Sequence, residues 1–114
     1  MNKVVLIGRL VKDAEVKNVG DDGKSVLNFT MAVQRDYINS KSERESDFIP
    51  IVYWHKSAEK LKQYLTKGRM ISVSGRIRVR SFEGREGGKK YVTEILADEI
   101  KFLSSRKDGG AAEQ

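Results

Sequence analysis

The sequence predicts an all-β domain of five strands carrying one short helix. Three observations lead there. Residues 27–35 and 69–82 alternate apolar and polar side chains with a period of two, the period of a strand with one buried face. Residues 57–65 have helical spacing instead, with Ala58, Leu61 and Leu65 on one face. Polar or glycine-bearing segments separate the periodic ones. A chain of 114 residues supplies one core and one domain.

The elements follow in order. Residues 2–10 are a β-branched and aliphatic run with Lys3 and Arg9 near its ends, and Gly8 marks a bulge or a close backbone approach. Periodicity is lost over 11–25, where Gly20-Asp21-Asp22-Gly23 is a turn. Strand 27–35 buries Leu27, Phe29, Met31 and Val33. Residues 36–46 are polar and mixed in charge, an exposed loop or protruding hairpin with mobile tips, with Tyr37 near its base. Strand 47–55 is apolar on both parities: Ile49, Ile51 and Tyr53 against Phe48, Val52 and Trp54, with Pro50 among the latter. A proline places this strand at an edge or a bulge.

Ser57 caps the helix, and Lys67-Gly68 ends it. In strand 69–82, Ile71, Val73, Ile77 and Val79 form the core parity. Ser72, Ser74, Arg76, Arg78, Arg80 and Phe82 form the other, and no carboxylate interrupts the stripe between Gly68 and Phe82. Residues 83–90 are a glycine-rich turn. Strand 91–103 is bulged, because its alternation slips around Asp98–Ile100. The order β-β-β-α-β-β is that of the OB-fold, a five-stranded Greek-key barrel that commonly binds oligonucleotides and oligosaccharides. The domain spans 1–104, and 105–114 form a short disordered tail.

The formal net charge of +6 favours an anionic partner. The absence of cysteine removes disulfides and thiolate chemistry. Residues 1–10 hold too short an apolar run for a signal peptide. No stretch has the length of a transmembrane helix. A soluble intracellular protein without membrane association is the expectation.

Four rings and a set of cations stand out. Tyr37 and Phe82 lie at loop–strand junctions, and Phe48 and Trp54 share a parity. If strands 27–35, 47–55 and 69–82 are neighbours, their outward faces form one surface on which bases stack. Phe48 and Trp54 equally suit a core or a subunit seam, since large rings are mostly buried. Arg76, Arg78 and Arg80 suit phosphate, with Lys3, Arg9, Arg35, Lys56, Arg69 and Lys89 in strand ends and loops as further contacts.

Catalysis finds little support. His55 is the one histidine, and it reads as a packing or surface residue. Glu43, Glu45 and Asp47 alternate with Arg44 and Ser46 in a polar loop, so solvation explains them better than a metal site or acid–base work. No phosphate-cradling Gly-Lys-Ser/Thr loop is present. The expectation is a non-catalytic protein with no cofactor and no metal. An RNA-binding module and a protein–protein module using the same rings as a seam remain the alternatives.

Several long segments occur in the order found in the bacterial-type single-stranded DNA-binding proteins: NKVVLIGRL (2–10), NFTMAV (28–33), DFIPIVYWHKSAEKL (47–61), YLTKG (64–68), SGRIRVRSF (74–82) and YVTEILAD (91–98). The chain resembles that family from residue 2 to about 106. The resemblance implies an OB-fold protomer, assembled as a homotetramer, that wraps single-stranded DNA without sequence preference in replication, recombination or repair. It implies a bacterial cytoplasmic, nucleoid-associated setting. By matching position it puts base-stacking rings at Tyr37, Phe48, Trp54 and Phe82 and basic strand positions at Arg76, Arg78 and Arg80. It gives residues 2–10 a part in pairing protomers edge to edge. The family's usual acidic C-terminal tip is absent from SSRKDGGAAEQ. The chain thus reads as a truncated or a short, plasmid- or phage-type member, and tail-mediated enzyme recruitment is not expected of it.

Overall fold

A computed structural model describes residues 1–18 and 25–103. The turn expected at 20–23 and the tail expected at 105–114 lie outside the described residues. The described residues form strands β1 (Val4–Leu10), β2 (Glu15–Asn18), β3 (Ser25–Gln34) and β4 (Ser46–His55), helix α1 (Ala58–Lys62), and strands β5 (Met70–Glu83) and β6 (Lys89–Phe102).

The sheet runs β1-β5-β6-β4-β3, and β1 then pairs with β3, so five strands close on themselves. This is the OB-fold order. All these pairings are antiparallel except β4–β6. The addition to expectation is β2, which pairs with β3 from Glu15↔Asn28 to Asn18↔Ser25. It lies where periodicity fails: the strand is four residues long and only Val16 turns toward the core, too short to display alternation. Helix α1 is also shorter than 57–65. Its first hydrogen bond runs from the Leu61 N–H to the Ser57 carbonyl, and the Ser57 side chain makes no cap. The expected capping role of Ser57 is therefore corrected. Ala58 and Leu65 are fully buried, as their spacing required.

Inside the closed sheet lie Leu10, Leu27, Met31, Ile51, Ile71 and Val73. Closure depends on Gly8. Just past this residue β1 pairs on both sides, with β5 (Gly8↔Ile71, Arg9↔Met70) and with β3 (Arg9↔Ala32), and a Cβ at Gly8 would stand 2.3 Å from the Ala32 carbonyl oxygen. The expected bulge in the last strand is present. Ser74 pairs with Glu99 but Gly75 with Ala97, which leaves Asp98 extra.

Ile77 and Val79, expected in the core by their parity, are exposed. The last β1–β5 pair is Val4↔Gly75. Beyond it β5 pairs only with β6, which keeps β4 as its other neighbour as far as Ile95, opposite Ile77, and then runs on with β5 as a two-stranded arm, so the parity that is buried at Ile71 and Val73 is no longer covered at Ile77 and Val79. The Asn2 side chain grips the base of this arm, accepting from the Ile77 N–H and donating to its carbonyl, both at 2.9 Å.

Candidate nucleic-acid interface

The outward face is built by register. Directly paired residues share a side of a sheet. On β3 and β4 the outward pairs are Val26↔Trp54, Asn28↔Val52, Thr30↔Pro50 and Ala32↔Phe48. Val52 pairs across to Leu96 of β6. Leu96 pairs to Arg76 of β5, followed by Glu94↔Arg78, Val92↔Arg80 and Lys90↔Phe82. One surface therefore carries Phe48, Trp54, Arg76, Arg78, Arg80 and Phe82. The direct adjacency of strands 27–35, 47–55 and 69–82, the condition on which their outward faces would join, holds only in part: β3 and β4 are neighbours, but β6 lies between β4 and β5.

The rings on this surface are open. Phe48 is 66%, Trp54 42% and Phe82 46% exposed, so none of them belongs to the core. Pro50, among them, pairs only to Thr30 in the β3 register. Between the strands lies a cavity of about 280 Å³, lined in part by Asn28, Thr30, Pro50, Val52, Arg80 and Glu94.

The arginine stripe is not free of carboxylate, which corrects the sequence reading. Glu94, 2% exposed, accepts from Arg78 Nε at 3.0 Å and from Arg78 Nη2, and from Arg80 Nε at 3.2 and 3.3 Å. The lone charged side chain between Val92 and Leu96 on an otherwise apolar parity was the signal for it, because a buried carboxylate must find cations. Arg76 is exposed and has no ion-pair partner among the described residues.

Other expected cations divide. Arg9 pairs in register with Ala32, beside Phe48, but its Nη1 donates to the Gly68 carbonyl. Lys3 and Lys56 are exposed at strand ends. Lys89 is opposite Glu83, on the reverse side of the arm; the lysine facing outward with Phe82 is Lys90, which sequence reasoning missed. Arg69 is away from the face, its guanidinium 4.6 Å from the Phe102 ring centre and bonded to the Tyr64 carbonyl. A second cleft, between β2 and α1, carries Lys12, Lys17, Lys62 and Lys67, scattered along the sequence so that no local pattern marked them.

Arg35 is held internally. It donates to both oxygens of Asp47, to Glu45 and to the Tyr37 hydroxyl. This clamp ties the two ends of loop 36–46 together and holds the hydroxyl of Tyr37, whose side chain is exposed. Hydrogen bonding from Arg35 holds the Asp47 carboxyl below its ordinary range. The clamp is complete above that range and is lost as pH falls through the lowered value. Arg35→Gln should therefore lower amide-exchange protection factors across 36–46 at neutral pH, and in the wild type acid should lower the same protection factors once the intrinsic slowing of exchange with falling pH is divided out. Equal exchange in both proteins at neutral pH would remove Arg35 from this role.

Among the described residues no cluster of acidic, histidine or cysteine side chains could hold a metal. Glu45 and Asp47 are engaged by Arg35. His55 stacks on Tyr53 and accepts the Ser57 N–H at its Nδ1, a packing role. No helix among the described residues is long and apolar enough to cross a membrane.

A closed five-stranded sheet with open rings and guanidinium groups on one outer face defines an OB-fold domain of the oligonucleotide-binding type. The family model that matches it, over residues 1–103, is described as the single-strand binding protein family. The chain belongs to that family. It is 48% identical to single-stranded DNA-binding protein 2 of Clostridium acetobutylicum, over 95% of this chain and 80% of that one. It is 50% identical to the single-stranded DNA-binding protein of Clostridium tetani, over 90% of this chain and 71% of that one. The single-stranded DNA-binding protein of Bacillus cereus is 46% identical, over 96% of this chain and 64% of that one.

Proposed function

We propose that the chain is a non-catalytic binder of single-stranded DNA, acting without sequence preference in replication, recombination or repair within a bacterial cytoplasm. The observation that carries this reading is the convergence of three open rings and three arginines on one face. Bases stack on Phe48, Trp54 and Phe82, with Tyr37 at the loop end. Arg76 and Arg80 neutralise phosphates, supported by Lys3, Lys56 and Lys90. Stacking uses the flat faces of bases and leaves their hydrogen-bonding edges unread, so all sequences bind. A homotetramer fits the exposure of Val5 and Ile7 on the outer side of β1, which pairing of protomers along residues 2–10 would cover.

Titration with oligo(dT), followed by Trp54 fluorescence at several salt concentrations, tests the reading. Quenching is expected, with log affinity falling against log salt by about 0.7 for each phosphate neutralised, and with little response to duplex DNA. Absence of binding at low salt would overturn it. Equal binding of oligo(U) would extend the ligand to RNA.

A further inference from the structure

Glu94 is a buried carboxylate in the middle of an otherwise basic face, and phosphate binding gives it no task. Its side chain is 2% exposed, whereas those of Arg78 and Arg80 are 38% and 54% exposed. A charge buried to that degree cannot release its cations together. The two arginines are held differently. Arg78 gives Glu94 both Nε and Nη2, the two converging on the one oxygen Oε2, so two of its three nitrogens are committed to the carboxylate. Arg80 gives only Nε, shared between the two oxygens, which leaves both of its terminal nitrogens uncommitted to the carboxylate.

The geometry points to Glu94 as an internal counter-charge that takes Arg78 out of phosphate binding and holds Arg80 by its inner nitrogen so that its outer edge meets the phosphate. The inference rests on the proposed use of this face for single-stranded DNA. Two arginines and one carboxylate leave one net positive charge, so the pair neutralises one phosphate, not two. Glu94 thus sets the salt sensitivity of binding, and Arg78 is a positioning residue.

The test is the salt slope of oligo(dT) binding for wild type, Glu94→Gln, Arg78→Gln and the double variant, with Glu99→Gln as control. Glu99 lies beyond the bulge, opposite Ser74 and beside Lys101. Glu94→Gln frees both guanidinium groups, and its slope should steepen by about 0.7. Its advantage over wild type then grows about five-fold for each tenfold fall in salt. Arg78→Gln leaves Arg80 to neutralise Glu94, and its slope should become shallower by a similar amount. The double variant should return to the wild-type slope, whereas a direct phosphate contact by Arg78 would leave Arg78→Gln shallow and Glu94→Gln at the wild-type slope.

A purely structural ion pair would lower the melting temperature of Glu94→Gln and leave its slope unchanged, which overturns the inference. Equal steepening in Glu99→Gln also overturns it, because the effect would then be a diffuse field. If Glu94→Gln folds poorly, the Arg78→Gln and double-variant pair reads the same quantity. A wild type that ignores oligo(dT) sinks the proposed function and this inference together; a wild type that binds while the variants keep its slope sinks the inference alone.

Discussion

Trp54→Ala combined with Phe48→Ala should all but abolish oligo(dT) binding while leaving a folded protein. Each ring, if a base stacks on it, accounts for about 1–3 kcal/mol. The two are six residues apart on the outward parity of β4, opposite Val26 and Ala32 of β3. Truncating both therefore removes two stacking platforms and leaves the interior residues Leu27, Phe29, Met31 and Ile51 in place. The single variants should each lose binding to every sequence alike. The checking measurement is affinity per folded protein, with the melting temperature recorded beside it. A lower melting temperature with unchanged affinity would show that the rings serve packing. Loss of assembly with intact binding would assign Phe48 to a subunit seam.

Gly8→Ala is expected to be severely damaging for a single added methyl, costing about 3 kcal/mol or more. The added Cβ would stand 2.3 Å from the Ala32 carbonyl oxygen and 3.1 Å from its carbon. These are backbone atoms of the strand that β1 must join, so no side chain can turn aside to relieve the clash. The closed sheet must open or β1 must slip. Gly68→Ala provides the comparison: there φ is +84° but no atom lies within 4 Å of the added carbon, and the cost is the left-handed backbone alone, about 1–2 kcal/mol. Denaturant midpoints at one fixed protein concentration would rank the two. A Gly8 variant as stable as wild type would mean that the β1–β3 closure is looser than its geometry.

Much of this molecule was legible in the chain because side-chain alternation is local. The parity of Phe48 with Trp54, and of Arg76 with Arg80 and Phe82, follows from counting by twos along one strand. The slip at Asp98 showed as a broken alternation and is a bulge in the structure. Gly8 stood out as a glycine in an apolar run. Strand β2 was illegible for the complementary reason, since four residues with one half-buried side chain make no pattern.

Counting along a strand also settles that the rings and the arginines each occupy a single side. It cannot say which strand comes next in space, because pairing joins residues far apart in the chain. The insertion of β6 between β4 and β5 brings Glu94 against Arg78 and Arg80 and turns a stripe of three cations into one free arginine and a shared pair. In the same way, the alternation of β5 runs unbroken from Ile71 to Val79, but β1 ends its pairing at Gly75. Apolar side chains are buried only where another layer covers them, and that cover is a property of the closed sheet.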